Sequence, residues 1–377
     1  MGKPVDHDAW LILRLVPEIG RMRFHRLIEA FGSPEAALGA GVRALQRVPG
    51  MDIVASENLM RHADLIELAR EKALIEEHGV RVLTLFDDDY PVNLRHSFLP
   101  PPLLYVRGTL EKADRFAIAI VGSRMSTTYG RIATDGVVRD LVQAGIVIVS
   151  GLAFGIDAAA HASAIKHGGR TIAVVANGLA RCYPAEHRPL MEEIIEHGAV
   201  VSEYPMMEEP ARMNFPERNR IIAAMSLGIV VAEAPAKSGA LITADMALDE
   251  NRALYAIPGD INRKTAEGTN NLLRAGAARL ITSGSDVLED LAGQLRGLLK
   301  EEGAEEENAA PKLLLSEEEE KVYALICQGP MPMDDLAEQL EESNIGRGRL
   351  ATILLSLEMK KAVRQLPGKV FTTFKMK

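Results

Sequence analysis

Cysteine is nearly absent from this 377-residue chain. The two present, Cys182 and Cys327, lie far apart and match no metal-ligand spacing. Their scarcity argues against a disulfide scaffold and a zinc site, and it fits a reducing cytosol. No uncharged run approaches the length of a membrane span. The N-terminal segment offers Asp6, His7 and Asp8 in place of the apolar stretch a secretory signal needs. A cytoplasmic protein without membrane contact is the expectation. The Gly-x-Gly-x-x-Gly turn of dinucleotide-binding proteins is missing too. The segment nearest to a phosphate-binding strand–loop–helix unit reads FAIAIVGSRMSTTYGR, with Gly122-Ser123-Arg124 at its turn. A fixed cation stands where a dinucleotide loop prefers bare glycine.

Excess positive charge is also lacking. The net charge is −9, which counts against nucleic acid until its distribution is read. Residues 301–320 hold nine glutamates against one lysine, Lys312, leaving a net charge of only −1 for the rest of the chain. A local basic groove is therefore compatible with the composition. A hydrophobic content of 47% supports a sizeable core, and the length suggests two or three domains.

The acidic stretch marks a boundary. KEEGAEEENAAPK has no apolar periodicity and reads as a tether, placed at 299–314. Beyond it, in 315–377, Ser316 and Glu319 form a capping box that opens a helix. A second helix starts at Asp334, and a third follows Gly346 and Gly348. VRQLPGKVFTTF then reads as two strands about Pro367-Gly368. This order suggests a winged helix. In its third helix Leu350, Ile353, Leu354 and Leu357 make the buried face, with Arg347, Arg349, Lys360 and Lys361 at the ends. DNA reading and protein docking are both open to that helix.

At the other end, 1–78, the chain repeats a hydrophobe-Pro-Gly turn at Val16-Pro17-Glu18-Ile19-Gly20 and Val48-Pro49-Gly50-Met51. Such turns join the helices of helix–hairpin–helix units, whose backbone N–H groups meet DNA phosphate. They also occur as plain packing units in sterile-alpha-motif-like bundles.

Between these ends, over 79–298, short Val/Ile/Ala-rich runs alternate with helical stretches: VRVLTLF, FAIAIVG, IVIVSG, TIAVVANG, AVVSEY, GIVVAEA and ALYAIPG. Runs of this kind fit strands buried on both faces of a doubly wound α/β sheet. Ligands in such sheets bind beyond the C-terminal strand ends. There the chain places Gly122-Ser123-Arg124, the glycine-rich Ser150–Asp157 turn with Gly151, then Tyr183-Pro184 with His187 and Arg188. Further strand ends deliver Arg212, Phe215, Arg218 and Asn219, and then Lys237-Ser238-Gly239 before a helix. Together they outline an anion-binding rim. Each has a bland alternative. Gly151 and Gly155 serve tight turns in many proteins. Asp157 and His161, four apart on one helix, suit capping and packing. Phe215 suits a core, and Arg218 and Arg220 could pair with Glu217, Glu233 or Asp245. Arginines around one aromatic are, however, what single-stranded nucleic acid needs: cations for the backbone and a ring for a splayed base.

The motifs YPVNLRHSFLPPPLLYVRG, IAIVGSRMSTTYG, VSGLAFGIDAAAH, TIAVVANGLARCYP, FPERNRIIAAMS, VVAEAPAKSGALITADMALDENR and YAIPGDI stand here in one order. In this the chain resembles the DNA-processing protein A family (DprA, also called Smf). The resemblance implies an extended Rossmann-like core with a parallel or mixed sheet, binding single-stranded DNA without chemistry and without a cofactor. It further implies a role in natural transformation, protection of incoming DNA, loading of the RecA recombinase and a homodimer. Carried over by position, Ser123 and Arg124 contact the strand, Arg212 takes the place of a frequent lysine, and Phe215 is the stacking platform. Arg218 and Asn219 line the groove, Lys237-Ser238-Gly239 bind phosphate, and Arg188 adds a contact. Leu248 and Leu273 mark the dimer or recombinase surface.

Two rivals stand beside this. The fold also resembles the lysine-decarboxylase-like phosphoribohydrolases, which cleave a base from a nucleoside monophosphate with a Pro-Gly-Gly-x-Gly-Thr-x-x-Glu turn. Here that turn reads AKSGALITADMA, and Asp245 is the nearest carboxylate. The other rival is an adaptor that recruits partners without DNA.

Overall fold

The computed structural model describes residues 7–303, 315–340, 345–360, 362–366 and 368–373. Its centre is a nine-stranded sheet. In chain order the strands are β1 (Val80–Thr84), β2 (Leu103–Gly108), β3 (Ala117–Gly122), β4 (Val147–Ser150) and β5 (Thr171–Val174). They continue as β6 (Gly198–Ser202), β7 (Gly228–Glu233), β8 (Ala253–Ala256) and β9 (Arg279–Leu280). Across the sheet they run β1-β2-β6-β5-β4-β3-β7-β8-β9. From β6 to β9 every pair is parallel, while β2 is antiparallel to β1 and to β6. Ala117, Ala119 and Val121 of β3 enter one core cluster; Ile118 and Ile120 enter another on the opposite face. A strand with two apolar faces needs cover on both, and helices supply it.

The expected strand set omits β2. Its apolar stretch LLYV is short and stands between Pro101-Pro102 and Arg107-Gly108, so the turn residues dominate the local pattern. Pairing with strands on both sides, one of them nearly a hundred residues away, makes it a strand.

From β3 the chain steps outward through β4, β5 and β6, then returns to lay β7 on the other side of β3. A crevice opens at such a reversal. The β3–β7 register shifts between Val121 and Gly122, an irregularity that re-aims the chain at the mouth of that crevice.

The N-terminal helices pack around Trp10, Leu13, Phe24, Leu27, Leu45 and Leu59. Their two Pro-Gly turns are joined by Arg23, whose Nη1 donates to the Glu18 carbonyl at 2.8 Å and whose Nε donates to the Gly50 carbonyl at 2.8 Å. An arginine bridging the two turns favours the packing use of these hairpins. The unit shares its core with Leu103 and Tyr105 of β2, and Arg14 Nε donates to the Glu203 carbonyl at 2.9 Å.

At the C-terminus the capping box forms at Ser316 and Glu319 and opens the helix Glu317–Ile326. β10 (Met331–Pro332) and the helix Met333–Gln339 follow, then the helix Arg347–Met359, β11 (Val363–Leu366) and β12 (Val370–Thr373), in the sheet order β10-β12-β11. Leu350, Ile353, Leu354 and Leu357 are buried within this unit, as their spacing predicts. The other side of the same helix is covered as well. Leu355 joins the core cluster containing Leu291 and Leu295 of the helix Gly284–Gly303, and Arg296 Nε reaches the Glu358 carboxylate at 2.8 Å. A helix held from both sides is docked, with no broad face presented to a DNA groove. Arg349 pairs with Glu318 and Lys360 with Glu319; Lys361 and Pro367 lie outside the described residues. Where a tether was expected from residue 299, the helix continues to Gly303, and 304–314 lie outside the described residues. Among the described residues, no helix is long and apolar enough to cross a membrane.

Candidate functional site

At the reversal point the ends of β3 and β7 meet the start of the helix Asn214–Met225, and between them lies an open groove of about 740 Å³. Ser123, Arg124, Arg212, Phe215, Arg218, Asn219, Lys237, Ser238 and Gly239 all line it. Gly151 and Arg188 do not.

Phe215 is the second residue of its helix and half-buried. The Arg124 guanidinium lies 4.9 Å from the ring centroid, and the Tyr183 ring packs at 5.8 Å and 55°. Cation and ring attract one another in this arrangement. Tyr183 marks only a strand end in the sequence; its contact with Phe215 depends on tertiary structure. Arg124, Arg212 and Lys237 are exposed and have no ion-pair partner among the described residues. Cations that could sit anywhere on a solvated surface converge here because parallel strands end on one edge.

Ser123 has a local task. Its Oγ accepts the Met125 N–H at 3.1 Å, its own N–H donates to the Glu233 carbonyl at 2.6 Å, and its carbonyl accepts from Ile156 at 3.1 Å. The serine thus shapes the loop that carries Arg124. Ser238 caps the helix Gly239–Asp249 by accepting from Ala240 at 3.3 Å. Asn219 Nδ2 lies 3.5 Å from the Gly239 carbonyl.

Arg218 lines the groove as expected, but its guanidinium is turned into the protein. It is 4% exposed, and its Nη1 donates to the carbonyls of Gly151, at 2.6 Å, and of Val174. Its head points under the floor, into the ends of β4 and β5. Burial lowers its pKa to about 10; nearby Asp157 opposes the shift and Arg124 adds to it. It remains protonated at neutral pH. Burial also pushes Asp157 up from the usual carboxylate value, against the Arg218 charge. Gly151 now has a physical reason: a Cβ there would lie 2.6 Å from Arg218 Nη1. That explanation is clearance for the arginine. The bland pairings proposed for Arg218 and Arg220 change too. Arg220 pairs with Glu203, Glu217 with Arg21, and Glu233 accepts the Thr127 N–H at 2.8 Å. Asp245 is exposed and does not line the groove.

His161 is fully buried behind this floor. Its Nδ1 lies 2.7 Å from Thr171 Oγ1, which spends its own proton on the Ile148 carbonyl at 2.8 Å, so Nδ1 is the donor. Burial, then the charges of Arg218 and His187, lowers its pKa to about 3. In the unfolded chain it titrates near 6.5. Stability is therefore whole above about pH 6.5 and falls toward pH 3, by at most about 1.4 kcal/mol per pH unit. Urea unfolding at pH 7 and pH 4 should show a smaller pH-dependent loss in His161→Gln than in the wild type. Equal losses would mean that His161 does not stay neutral in the fold.

Leu248 is 47% exposed, whereas Leu273 packs partly against the core. Asn270, its neighbour, is engaged with the backbone N–H and carbonyl of Gly259 at 3.2 and 3.0 Å. Phe98, 92% exposed, lies by the end of the Leu248 helix, its N–H 3.4 Å from the Glu250 carboxylate. No local signal marks that phenylalanine as exposed.

A family model described as DNA recombination-mediator protein A matches residues 81–292, and one described as DprA winged helix domain matches 305–369. Protein Smf of Synechocystis sp. is 34% identical over 96% of this chain and 98% of its own. The DNA processing protein DprA of Streptococcus pneumoniae is 42% identical over 55% of this chain and 73% of its own. The X-ray structure of DprA from Streptococcus pneumoniae superposes with a TM-score of 0.66 at 33% identity, covering 75% of this chain and 97% of that one. The DNA processing protein A of Helicobacter pylori, described for its single-stranded DNA binding mode, gives 0.51 at 29% identity, over 57% and 96%.

Proposed function

The chain belongs to the DNA recombination-mediator protein A family, and from that premise we propose that it binds single-stranded DNA in the groove at the β3–β7 reversal. The observation behind this reading is the exposed Arg124 stacked on Phe215, with Arg212 and Lys237 on the same rim. Arg124, Arg212 and Lys237 neutralise phosphates, the Phe215 ring takes a splayed base, and Ser238-Gly239 offer backbone N–H groups at a helix start. Arg188, which does not line the groove, is proposed as a further contact. Binding is without chemistry: the carboxylate that a phosphoribohydrolase would need at Asp245 stands away from the groove. The protein works in the cytoplasm in natural transformation, shielding incoming DNA and assisting RecA recombinase loading, as a homodimer. The apolar surface at Phe98 and Leu248 supports the last point.

A fluorescent oligonucleotide, single-stranded or duplex, titrated across a salt series tests the groove. Three neutralised phosphates give a log–log salt slope of about −2 for single strands, at roughly 0.7 each. Single-strand preference with that slope is expected. Salt-insensitive binding, or free base released from nucleoside monophosphates, would overturn the reading.

A further inference from the structure

A second hollow, of about 880 Å³, lies on the far side of Arg124 and shares that residue and Met125 with the groove. Phe154, 44% exposed, lines it. The phenylalanine belongs to the turn between β4 and the helix Ile156–Lys166, whose backbone is unusual on both sides of it. Leu152 is buried with φ at 57°, a left-handed conformation that costs a branched residue. Gly155 has φ at 82°, and a Cβ there would lie 2.1 Å from the Ser123 carbonyl. The turn is thus pressed onto the loop that carries Arg124, and Phe154 is left on the surface between the two. Its ring is held at 4.8 Å and 69° by His187, which is itself fixed by a 2.8 Å contact from Nδ1 to the Leu152 carbonyl. An edge-on partner leaves ring face open for stacking.

Charge orients whatever enters. Arg131, tied to the Ser126 carbonyl at 2.9 Å, lines the hollow together with Arg124, whereas Glu186 and Glu193 come from the segment that carries His187. Phosphate is attracted to the arginines and repelled by the glutamates, while a base is neutral and can lie over the ring. We infer that this hollow is a second base-stacking subsite, which takes a nucleobase of the same single strand after it passes Arg124, with Phe154 as platform and Arg131 holding the phosphate. The inference rests on the single-strand reading above. It extends the strand's path across Arg124, away from Phe215.

The test compares Phe154→Ala, Phe154→Trp and the wild type by fluorescence anisotropy, using strands of about 20 and about 5 nucleotides, one beyond the usual range of site sizes and one near its lower end. Phe154→Ala should weaken the long strand by about 5- to 150-fold, the worth of one stacked base, and the short strand far less. Phe154→Trp should keep the wild-type affinity. The ring is outside the core clusters, so thermal melting of the three proteins should differ little. Phe154→Ala binding both strands as tightly as the wild type would overturn the subsite and leave the first groove standing. A wild type that binds neither strand would overturn both.

Discussion

Phe215→Ala is expected to weaken single-strand binding by about 5- to 150-fold, from the 1–3 kcal/mol that a base–aromatic stack contributes. The ring is half-buried at the start of its helix, so the fold loses little apolar burial when it is removed. Arg124 loses more, because its guanidinium rests 4.9 Å from that ring. Without the platform the cation regains its freedom and must be ordered again on binding. Arg124→Ala should therefore lower affinity and reduce the salt slope by about 0.7. Residues in contact do not act independently, so the double variant should lose less than the sum of the two single losses. Phe215→Trp should retain most of the affinity. The deciding measurement is a double-mutant cycle of dissociation constants at two salt concentrations. If Phe215→Ala stays within twofold of the wild type, the ring is no platform.

Arg218→Met should destabilise the fold by about 3–5 kcal/mol, the usual effect of breaking a buried charged network from one side. Removing the guanidinium leaves the Gly151 and Val174 carbonyls without their donor and Asp157 without its neighbouring cation. Arg218→Lys should rescue it only in part, since an ammonium placed at the two carbonyls lacks the second donor, Nε, that reaches Asn219 Oδ1 at 3.1 Å. Gly151→Ala should be damaging for the complementary reason, as its Cβ would displace the same guanidinium. Urea midpoints distinguish the possible roles of Arg218. A variant with the wild-type midpoint and weaker DNA binding would make it a strand contact after all. A lowered midpoint makes it the support beneath the floor.

Much of the site was legible because of a simple topological rule. In a parallel sheet the C-terminal strand ends share one edge, so residues that follow apolar runs meet even when they are distant in sequence. Ser123-Arg124, Phe215 and Lys237-Ser238-Gly239 come together for that reason. The direction of a side chain at that edge was not legible. Arg212 and Arg218 are both arginines on the same polar segment, yet one is exposed and the other 4% exposed. What separates them is a pair of carbonyls 67 and 44 residues away. Similarly, the spacing of Leu350, Ile353, Leu354 and Leu357 reveals one buried face of a helix, while the burial of Leu355 and Glu358 depends on a helix from another part of the chain.

Local chemistry in the sequence therefore determined the apolar strands, the Pro-Gly turns, the capping box at Ser316 and the placing of cations after strands. Each depends on neighbours within a few residues, or on a periodicity that one segment carries alone. Tertiary structure alone decided that β2 is a strand, that Arg218 faces inward, that the third winged-helix helix is docked, and that Phe154 lies beyond Arg124. These outcomes come from pairing, burial and close approach between distant segments, and the residues involved have the same local surroundings whichever way the contact falls.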